Sequence, residues 1–520
     1  MRTVAAVAAI LIGLAVLGAI AGPAWDPAPY TERVTPTSLS TVVGGQRLGL
    51  EAGRIHPPGT FEVRETVVDI ALDGYEITAL LREPIGAGDG LAGMVFIHGA
   101  GTGRWTEAFL AQGEQIASAG IVTLVPDKRL DNYSTWHRDY EEMAVDYQHS
   151  VEFLRTVASV DPALVGLYSE SEGTWITPVM QYNDPEIAFT ILVSAPVVEP
   201  RRQAAFAVDN FLRNTYVPFQ VFRAIPRALG MHLPDGMLDY GDFDVTPWLE
   251  RQSAPMFIAY GAADPSMPIV QGTRILLASL AVGGYESPAT VRFYPYADHG
   301  VRVDGVVVPE LSRDIAAWVG GLPYTAHAEP RIAGAEPEQL FEAIAVQRPA
   351  WWANGRVMLG TVLGGVGLLL LGPLVWGATS LLRRLATAGR GEAREPNPQA
   401  RMAPRVRPLL LVLGLGPVVT LAALFAYLIA VGTLAMNYET NTLVVQGGWI
   451  GVRLLGMIPV VAIALLIGRY QDVRAARRAG DDTLEMVKGW PAHVTLWSTI
   501  VGSSLLLLWL TYWGVFQLGI

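Results

Sequence analysis

The chain has 520 residues, a formal net charge of −11 and no cysteine. The lack of cysteine excludes disulfide bonds, thiol nucleophiles and thiolate metal sites, and an acidic chain without an early basic run is not expected to bind nucleic acid. The hydrophobic share is 51% and the charged share only 16%, below the roughly 25% of soluble proteins, so part of the chain is expected to contact a lipid bilayer.

The N-terminus is an apolar segment that directs the chain to a membrane. Arg2 precedes an uninterrupted apolar run, and the small residues Ala19 and Ala21 at its end resemble a signal-peptidase site. Residues 1–22 are therefore either a cleaved signal peptide or a retained membrane anchor; the length of the run favours the anchor, and both alternatives export the downstream residues. Residues 23–60 are rich in Pro, Thr and Gly without periodicity, which is typical of a linker or arm.

From about residue 61, short β-rich runs alternate with longer amphipathic segments. This alternation predicts a mostly parallel sheet with helices on both faces, extending over 61–322. The Asp73-Gly74 pair between the first two runs is a hairpin signal, so the sheet is expected to begin antiparallel. The aromatic-rich stretch 199–250 interrupts the pattern between two core strands. We interpret it as a cap inserted over a pocket; an ordinary crossover with a long loop is the alternative.

The C-terminal region predicts an α-helical transmembrane bundle. Residues 323–350 form a linker, and 351–520 contain four apolar stretches long enough to cross a bilayer, at 357–382, 408–435, 448–468 and 491–518. The first and third connecting loops are basic, whereas the second has no Lys or Arg. Because basic loops stay in the cytoplasm, the region before the first span is predicted to be extracytoplasmic. The basic residues are Arg383, Arg384, Arg390, Arg394, Arg401, Arg405 and Arg407 in the first loop, and Arg469, Arg474, Arg477, Arg478 and Lys488 in the third.

One short motif, SESEG at residues 169–173, contains the candidate catalytic nucleophile. A predicted strand at Val165–Tyr168 leads into SESEG at 169–173. This matches the small-x-Ser-x-Gly pattern of a nucleophile elbow, with Ser171 as the nucleophile and Gly173 closing the turn. Small residues are needed because the backbone of the nucleophile is strained and neighbouring chains pass close. Ser169 is the alternative nucleophile, but Ser171 has the correct spacing from Gly173.

At this elbow the chain resembles the α/β-hydrolase superfamily, over roughly residues 61–322, and looks most similar to bacterial esterases and prolyl-oligopeptidase-like hydrolases. The resemblance implies an α/β-hydrolase fold and a triad in the chain order Ser, Asp or Glu, His. Asp264 follows the predicted strand PMFIAY, and His299 follows VRFYPY, so they match the acid and the base. Asp298 is the lesser candidate for the acid, since it does not directly follow a strand.

The resemblance extends to an oxyanion hole. The sequence HGAG at 98–101 follows a predicted strand and resembles the HG-x-G loop of the family. It implies that the backbone N–H groups of Ala100 and Glu172 bind the oxyanion, with Gly99 or Gly101 as replacements for Ala100. A further segment, PDKRLDNYSTW at 126–136, resembles a loop of some bacterial hydrolases, and an ion pair between Asp127 and Arg129 is expected there.

These features predict a membrane-anchored serine hydrolase on the extracytoplasmic side of the cell membrane. It would cleave ester, thioester or peptide bonds of a small-molecule ester, lipid or peptide through an acyl-enzyme, with no cofactor and no metal. Two other functions stay open. The chain could be a catalytically idle receptor or assembly module that keeps the fold, or an acyltransferase that uses an acceptor other than water.

Overall fold

The computed structural model of the chain describes residues 2–43, 56–282, 288–388, 401–403, 405–437, 439–481 and 485–518. Arg390 and Arg394 of the predicted cytoplasmic loop lie outside these residues. The chain forms two compact units, which we call the helical unit and the α/β unit. The helical unit comprises Met1–Asp26, Val208–Asp235 and Val346–Ile520, and the α/β unit comprises Pro27–Ala207 and Gly236–Ala345.

The helices, numbered in chain order, are α1 Arg2–Ile20, α2 Leu110–Ala117, α3 Tyr140–Arg155, α4 Gly173–Asn183, α5 Pro200–Asn214, α6 Ala224–Leu229, α7 Thr246–Leu249, α8 Ile269–Val282, α9 Pro309–Gly320, α10 Gly355–Ala388, α11 Val406–Met436, α12 Gly448–Arg478 and α13 Trp490–Tyr512. Short 3₁₀ turns occur at Phe219–Arg223, Pro234–Gly236, Asp239–Asp242, Tyr324–His327 and Trp351–Ala353, and a π-helical turn at Leu443–Gly447 precedes α12.

The α/β unit contains a nine-stranded sheet in its described residues. Its strands are β1 Val63–Leu72, β2 Tyr75–Pro84, β3 Leu91–Ile97, β4 Val122–Pro126, β5 Val160–Glu170, β6 Thr190–Val193, β7 Met256–Gly261, β8 Ala289–Tyr294 and β11 Ile332–Gly334; β9 Arg302–Val303 and β10 Val306–Val307 form a separate ribbon. The order in the sheet is β1-β2-β4-β3-β5-β6-β7-β8-β11. β2 pairs antiparallel with β1 and β4, and the other neighbours are parallel. This confirms the predicted sheet that begins antiparallel.

Two buried clusters of apolar side chains cover the two faces of the sheet. Along β3, Val95 and Ile97 belong to one cluster, and Met94 and Phe96 belong to the other. Side chains of α3, α4 and α8 complete the first cluster, and those of α2 and α9 complete the second. Because both faces are covered, the central strands are apolar at nearly every position. Polar functional side chains can therefore be placed only where these strands end.

The predicted arm and linker run beside each other in the α/β unit. The backbone N–H of Tyr30 donates to the carbonyl of Leu340 at 3.0 Å, and that of Thr37 donates to Ile332 at 3.0 Å. Within the predicted linker, β11 adds a strand parallel to β8. The α/β unit therefore includes the described residues of the arm from 27 onward and those of the linker up to 345.

Within the described residues of the helical unit, five helices are long and apolar enough to cross a membrane, namely α1, α10, α11, α12 and α13. The last four lie where the sequence predicts four spans. The predicted cap at 199–250 is divided between the units, because Val208–Asp235 belongs to the helical unit and the remainder to the α/β unit. A cap over the pocket stays a prediction.

Candidate active site

Ser171 occupies the sharp turn between β5 and α4. Its φ is +56°, a left-handed conformation that non-glycine residues adopt rarely and that is typical of strained functional turns. Gly173 makes the turn possible, because a Cβ atom there would lie 2.7 Å from the carbonyl oxygen of Ile97. Ser171 lines a cavity of about 280 Å³. The elbow therefore presents this serine to a space that a small substrate group can enter.

Ser169, the alternative nucleophile, has a different environment. Its side chain is fully buried, and its hydroxyl donates a hydrogen bond to the carbonyl of Ile191 at 3.0 Å. It is not among the residues that line the cavity beside Ser171. This geometry favours Ser171 as the reactive hydroxyl.

His299 and Asp264 meet at the same edge of the sheet. Nδ1 of His299 lies 2.9 Å from Oδ2 of Asp264, and His299 lines the cavity together with Ser171. The Asp264 side chain is fully buried, and its Oδ1 accepts the backbone N–H of Ser266 at 2.8 Å. The carboxylate is thus held on both oxygens. Nε2 of His299 is the ring atom left to face a reacting group.

Asp298 does not take the place of Asp264 beside the imidazole. Its backbone N–H donates to the carbonyl of Arg302 at 2.7 Å, and it is Asp264 that bonds the His299 ring. Among the described contacts there is no hydrogen bond between the Ser171 hydroxyl and His299. Such bonds are often long in ligand-free enzymes and tighten when substrate binds.

The charge balance around His299 favours its protonated form. Burial alone would lower the pKa of the imidazole, but the charge and hydrogen bond of Asp264, together with the charge of Glu170, raise the pKa above 6.5. A general base acts in its neutral form. A base at this position would therefore lose its proton at a higher pH than an isolated histidine does.

If His299 serves as a general base, kcat/KM of the reaction that it assists is expected to rise with pH as the proton leaves the imidazole, with a midpoint above 6.5. The rate rises with pH because a protonated imidazole cannot accept a proton. The midpoint lies above 6.5 because the Asp264 carboxylate stabilises the protonated form. The measurement is kcat/KM in detergent between about pH 5 and 9. A midpoint below 6.5 would contradict this electrostatic description.

The backbone N–H groups of Ala100 and Glu172 are the two predicted oxyanion donors. Ala100 lines the cavity, and Glu172 follows the nucleophile in the chain. In the described part of the chain, neither N–H donates to a protein acceptor. His98, which precedes the loop, is fully buried with Nε2 2.8 Å from the carbonyl of Pro126, and burial lowers its pKa to about 4. His98 is therefore neutral and structural.

Arg302 is a cavity residue that sequence patterns do not reveal. Its guanidinium donates to Oε1 of Glu170 at 2.7 Å and to the carbonyl of His299 at 3.2 Å. It therefore links the end of β5 to the loop that carries His299. No sequence pattern identifies it, because its role depends on contact between segments more than a hundred residues apart.

The expected ion pair between Asp127 and Arg129 is wrong. Asp127 pairs with Arg104 at 2.7 Å, and Arg129 pairs with Asp131 at 2.7 Å. Asp127 thus reaches Arg104 in the loop after β3, whereas Arg129 stays with Asp131 in its own loop and contacts Asp146 of α3 at 3.4 Å. Among the described residues, no cluster of His, Asp and Glu side chains is arranged to hold a metal ion.

No protein-family model and no curated sequence matches the chain. Several solved structures are similar to it. The thermophilic carboxylesterase EstE1 from a metagenomic library is 18% identical, over 53% of this chain and 93% of that one, with a TM-score of 0.37. An esterase of Pyrococcus furiosus is 16% identical over 56% of this chain and 97% of its own length, with a TM-score of 0.36. A dienelactone hydrolase from Anabaena variabilis ATCC 29413 is 16% identical over 49% of this chain and 95% of its own length, with a TM-score of 0.34.

The α/β unit has the α/β-hydrolase fold. Its mostly parallel sheet is covered by helices on both faces, and the serine stands on a strand-to-helix elbow at the carboxyl end of a central strand. The apolar helices of the C-terminal region accompany this fold in the same chain.

Proposed function

We propose that this chain is a membrane-anchored serine hydrolase that cleaves carboxylic ester, thioester or amide bonds through an acyl-enzyme. Ser171 is the nucleophile, His299 the general base and acid, and Asp264 the residue that orients His299. One observation carries the proposal: the 2.9 Å contact between Asp264 and His299 lies at the cavity that Ser171 lines from a left-handed turn.

The first half of the reaction forms the acyl-enzyme. Nε2 of His299 takes the hydroxyl proton as Oγ of Ser171 bonds to the substrate carbonyl carbon, and the π electron pair moves onto the carbonyl oxygen. The N–H groups of Ala100 and Glu172 bind the resulting oxyanion. When the carbonyl reforms, the bond to the leaving group breaks, and that group takes the proton from His299.

The second half releases the acyl group to water. His299 takes a proton from a water molecule, whose oxygen bonds to the acyl carbon and forms a second oxyanion. Collapse of this intermediate breaks the bond to Oγ of Ser171, which recovers its proton from His299. The products are a carboxylic acid and the free enzyme. During both halves the Asp264 carboxylate stabilises the imidazolium and keeps Nε2 directed at the reacting atoms.

The cavity indicates the size of the group that binds. Its volume of about 280 Å³ lies just below the range for ligand pockets, which is roughly 300–1,000 Å³. Phe109, Leu110 and Val307 supply apolar lining, and Gln112 and Arg302 supply polar groups. A small-molecule ester, or the acyl end of a lipid or peptide, fits these dimensions better than a long buried chain.

The proposal is tested with the full-length protein in detergent. A fluorophosphonate probe is expected to form an adduct on Ser171, and short-chain esters are expected to be hydrolysed to free acid. Lack of both the adduct and hydrolysis would instead favour an idle module. Transfer of the acyl group to an added alcohol or amine, in preference to water, would identify an acyltransferase.

We also propose that the α/β unit lies on the extracytoplasmic side. Arg383 and Arg384 are near the end of α10, and Arg477 and Arg478 end α12. The connection between α11 and α12, residues 437–447, has no Lys or Arg. This alternation supports cytoplasmic ends for α10 and α12. The substrate would then be one that is met outside the cytoplasm.

A buried arginine supports a retained N-terminal anchor. Nη2 of Arg227 donates to the carbonyls of Gly18 at 3.0 Å and Gly22 at 3.2 Å, and Nη1 donates to the carbonyl of Tyr512. These carbonyls lie at the C-terminal ends of α1 and α13, where a cation is favourable. A Cβ atom at Gly18 would lie 2.7 Å from the carbonyl oxygen of Thr511, so α1 packs directly on α13. Cleavage after Ala21 would remove this packed helix.

We expect the purified full-length protein to keep its first 21 residues, because α1 supplies acceptors to the buried Arg227 guanidinium. Intact mass spectrometry measures this directly, and a mature chain beginning at Gly22 would contradict it. In a supporting comparison, Arg227→Met should lower the thermal stability in detergent more than Arg356→Met. Arg356 makes an exposed ion pair with Asp235, so its loss is expected to have little effect.

A further inference from the structure

A buried lysine connects the two segments that carry the proposed oxyanion donors. Lys128 follows β4, and its side chain is only 1% exposed. Its ammonium donates to the carbonyl of Gly99 at 2.8 Å and to Oε2 of Glu172 at 3.0 Å. It also lies 4.1 Å from the centre of the Tyr133 ring, within cation–π range. One positive charge thus contacts the loop after β3 and the nucleophile elbow together.

The contact with Gly99 fixes the direction of the Ala100 N–H. The carbonyl of Gly99 and the N–H of Ala100 belong to one peptide group, which is planar and trans, so the two bonds point in opposite directions. Lys128 holds the carbonyl on the side away from solvent, while Gly99 and Ala100 line the cavity with Ser171. A cation on the carbonyl oxygen also polarises the amide and makes its N–H a stronger donor.

The contact with Glu172 fixes the second donor residue. The Glu172 side chain is 1% exposed and accepts hydrogen bonds from the hydroxyl of Tyr133 at 2.8 Å and from Arg138. A buried ammonium is costly without a paired carboxylate. Burial lowers the pKa of Lys128, and the charge and hydrogen bond of Glu172 counteract that shift. The carboxylate therefore faces this cluster instead of the substrate, which keeps its charge away from the oxyanion.

We propose that Lys128 is a positioning residue of the oxyanion hole, which holds the Gly99–Ala100 peptide group with its N–H directed at the oxyanion. This inference rests on the proposed serine hydrolase function. Lys128 does not touch the substrate; it acts through the two backbone donors. Its effect is therefore on the transition state, while binding of the ground-state substrate is nearly unaffected.

Arg138 supplies a matched control. It contacts the same Glu172 carboxylate as Lys128. Its other described contacts include the Ser134 carbonyl and the Tyr133 and Tyr240 rings, but not Gly99. Lys128→Met and Arg138→Met each remove one cation from Glu172. Only the first removes the hydrogen bond to Gly99, so the difference between them isolates the effect on the peptide group.

The experiment measures kcat and KM of the full-length protein on a short-chain ester, and Ki for a trifluoromethyl ketone, which forms an oxyanion on the nucleophile. Removing an oxyanion donor costs about 10²–10³-fold in kcat, so misdirecting one is expected to cost about 10–100-fold. We expect Lys128→Met to show this loss in kcat and a parallel rise in Ki, with KM changed less than about threefold. Lys128→Gln keeps an N–H donor, so its kcat and Ki should lie between those of wild type and those of Lys128→Met. Arg138→Met should lose far less kcat than Lys128→Met.

The outcomes separate the inference from the proposed function. If wild type and Ser171→Ala are equally inactive, the serine hydrolase proposal fails and this inference fails with it. If wild type is active but Lys128→Met keeps its kcat and Ki, or loses no more than Arg138→Met, only the positioning role is overturned. Thermal unfolding checks that each variant folds. If Lys128→Met does not fold, kcat and Ki of Lys128→Gln are compared with those of wild type and Arg138→Met in the same way.

Discussion

Replacing Ser171 with alanine is expected to lower kcat for ester hydrolysis by about 10⁴–10⁶-fold, because the acyl-enzyme cannot form without its hydroxyl. Substrate binding does not need this atom, so KM should change little. The fold should tolerate the change, since the left-handed backbone at φ +56° is no worse for alanine than for serine. The measurements are steady-state hydrolysis of a short-chain ester and labelling by a fluorophosphonate probe.

Ser169→Ala is the matched control for this prediction. It removes the same atom two residues earlier in the chain, from a hydroxyl that is buried and bonded to the carbonyl of Ile191. Its loss should cost about 1 kcal/mol in the free energy of unfolding and leave kcat within a few fold. If Ser169→Ala abolished labelling while Ser171→Ala kept it, the nucleophile would be assigned to the wrong serine.

The local parts of the site could be predicted because neighbouring residues determine them. An apolar strand followed by SESEG permits few backbone paths, and the close approach of Gly173 to Ile97 explains why that position must be small. The loops of Asp264 and His299 each follow a strand of the parallel sheet, and the carboxyl ends of such strands share one edge. Sequence order was therefore enough to predict that their side chains would meet.

Other parts depend on which distant surfaces touch, and sequence patterns do not contain that information. The segment at 126–136 is recognisable in the sequence, but the partner of Asp127 is Arg104 rather than Arg129, because the loop after β3 folds back onto β4. Lys128 had no predicted role, since both its acceptors lie in other segments. The apolar and aromatic residues of 208–235 predict burial, yet they cannot tell a cap from a segment that packs with apolar helices.

Replacing Asp264 with asparagine is expected to lower kcat by about 10³–10⁴-fold near pH 7, as the equivalent change does in well-studied serine proteases. The asparagine amide can donate to Nδ1 of His299, which would place the ring proton on Nε2 and leave no base facing Ser171. Loss of the carboxylate also removes the main cause of the raised pKa of His299. The remaining activity should therefore show its pH midpoint at a lower value than wild type.

Asp298→Asn is the control that tests the choice of acid. It removes the same charge one residue before His299, where Asp298 contributes a backbone hydrogen bond to Arg302 that the substitution keeps. We expect kcat to fall less than about threefold, since the hydrogen bond that orients the imidazole comes from Asp264. If Asp298→Asn were the more damaging change, the imidazole would have to turn toward Asp298 during the reaction. The 2.9 Å contact with Asp264 would then describe a resting arrangement, and Asp298 would be the acid of the triad.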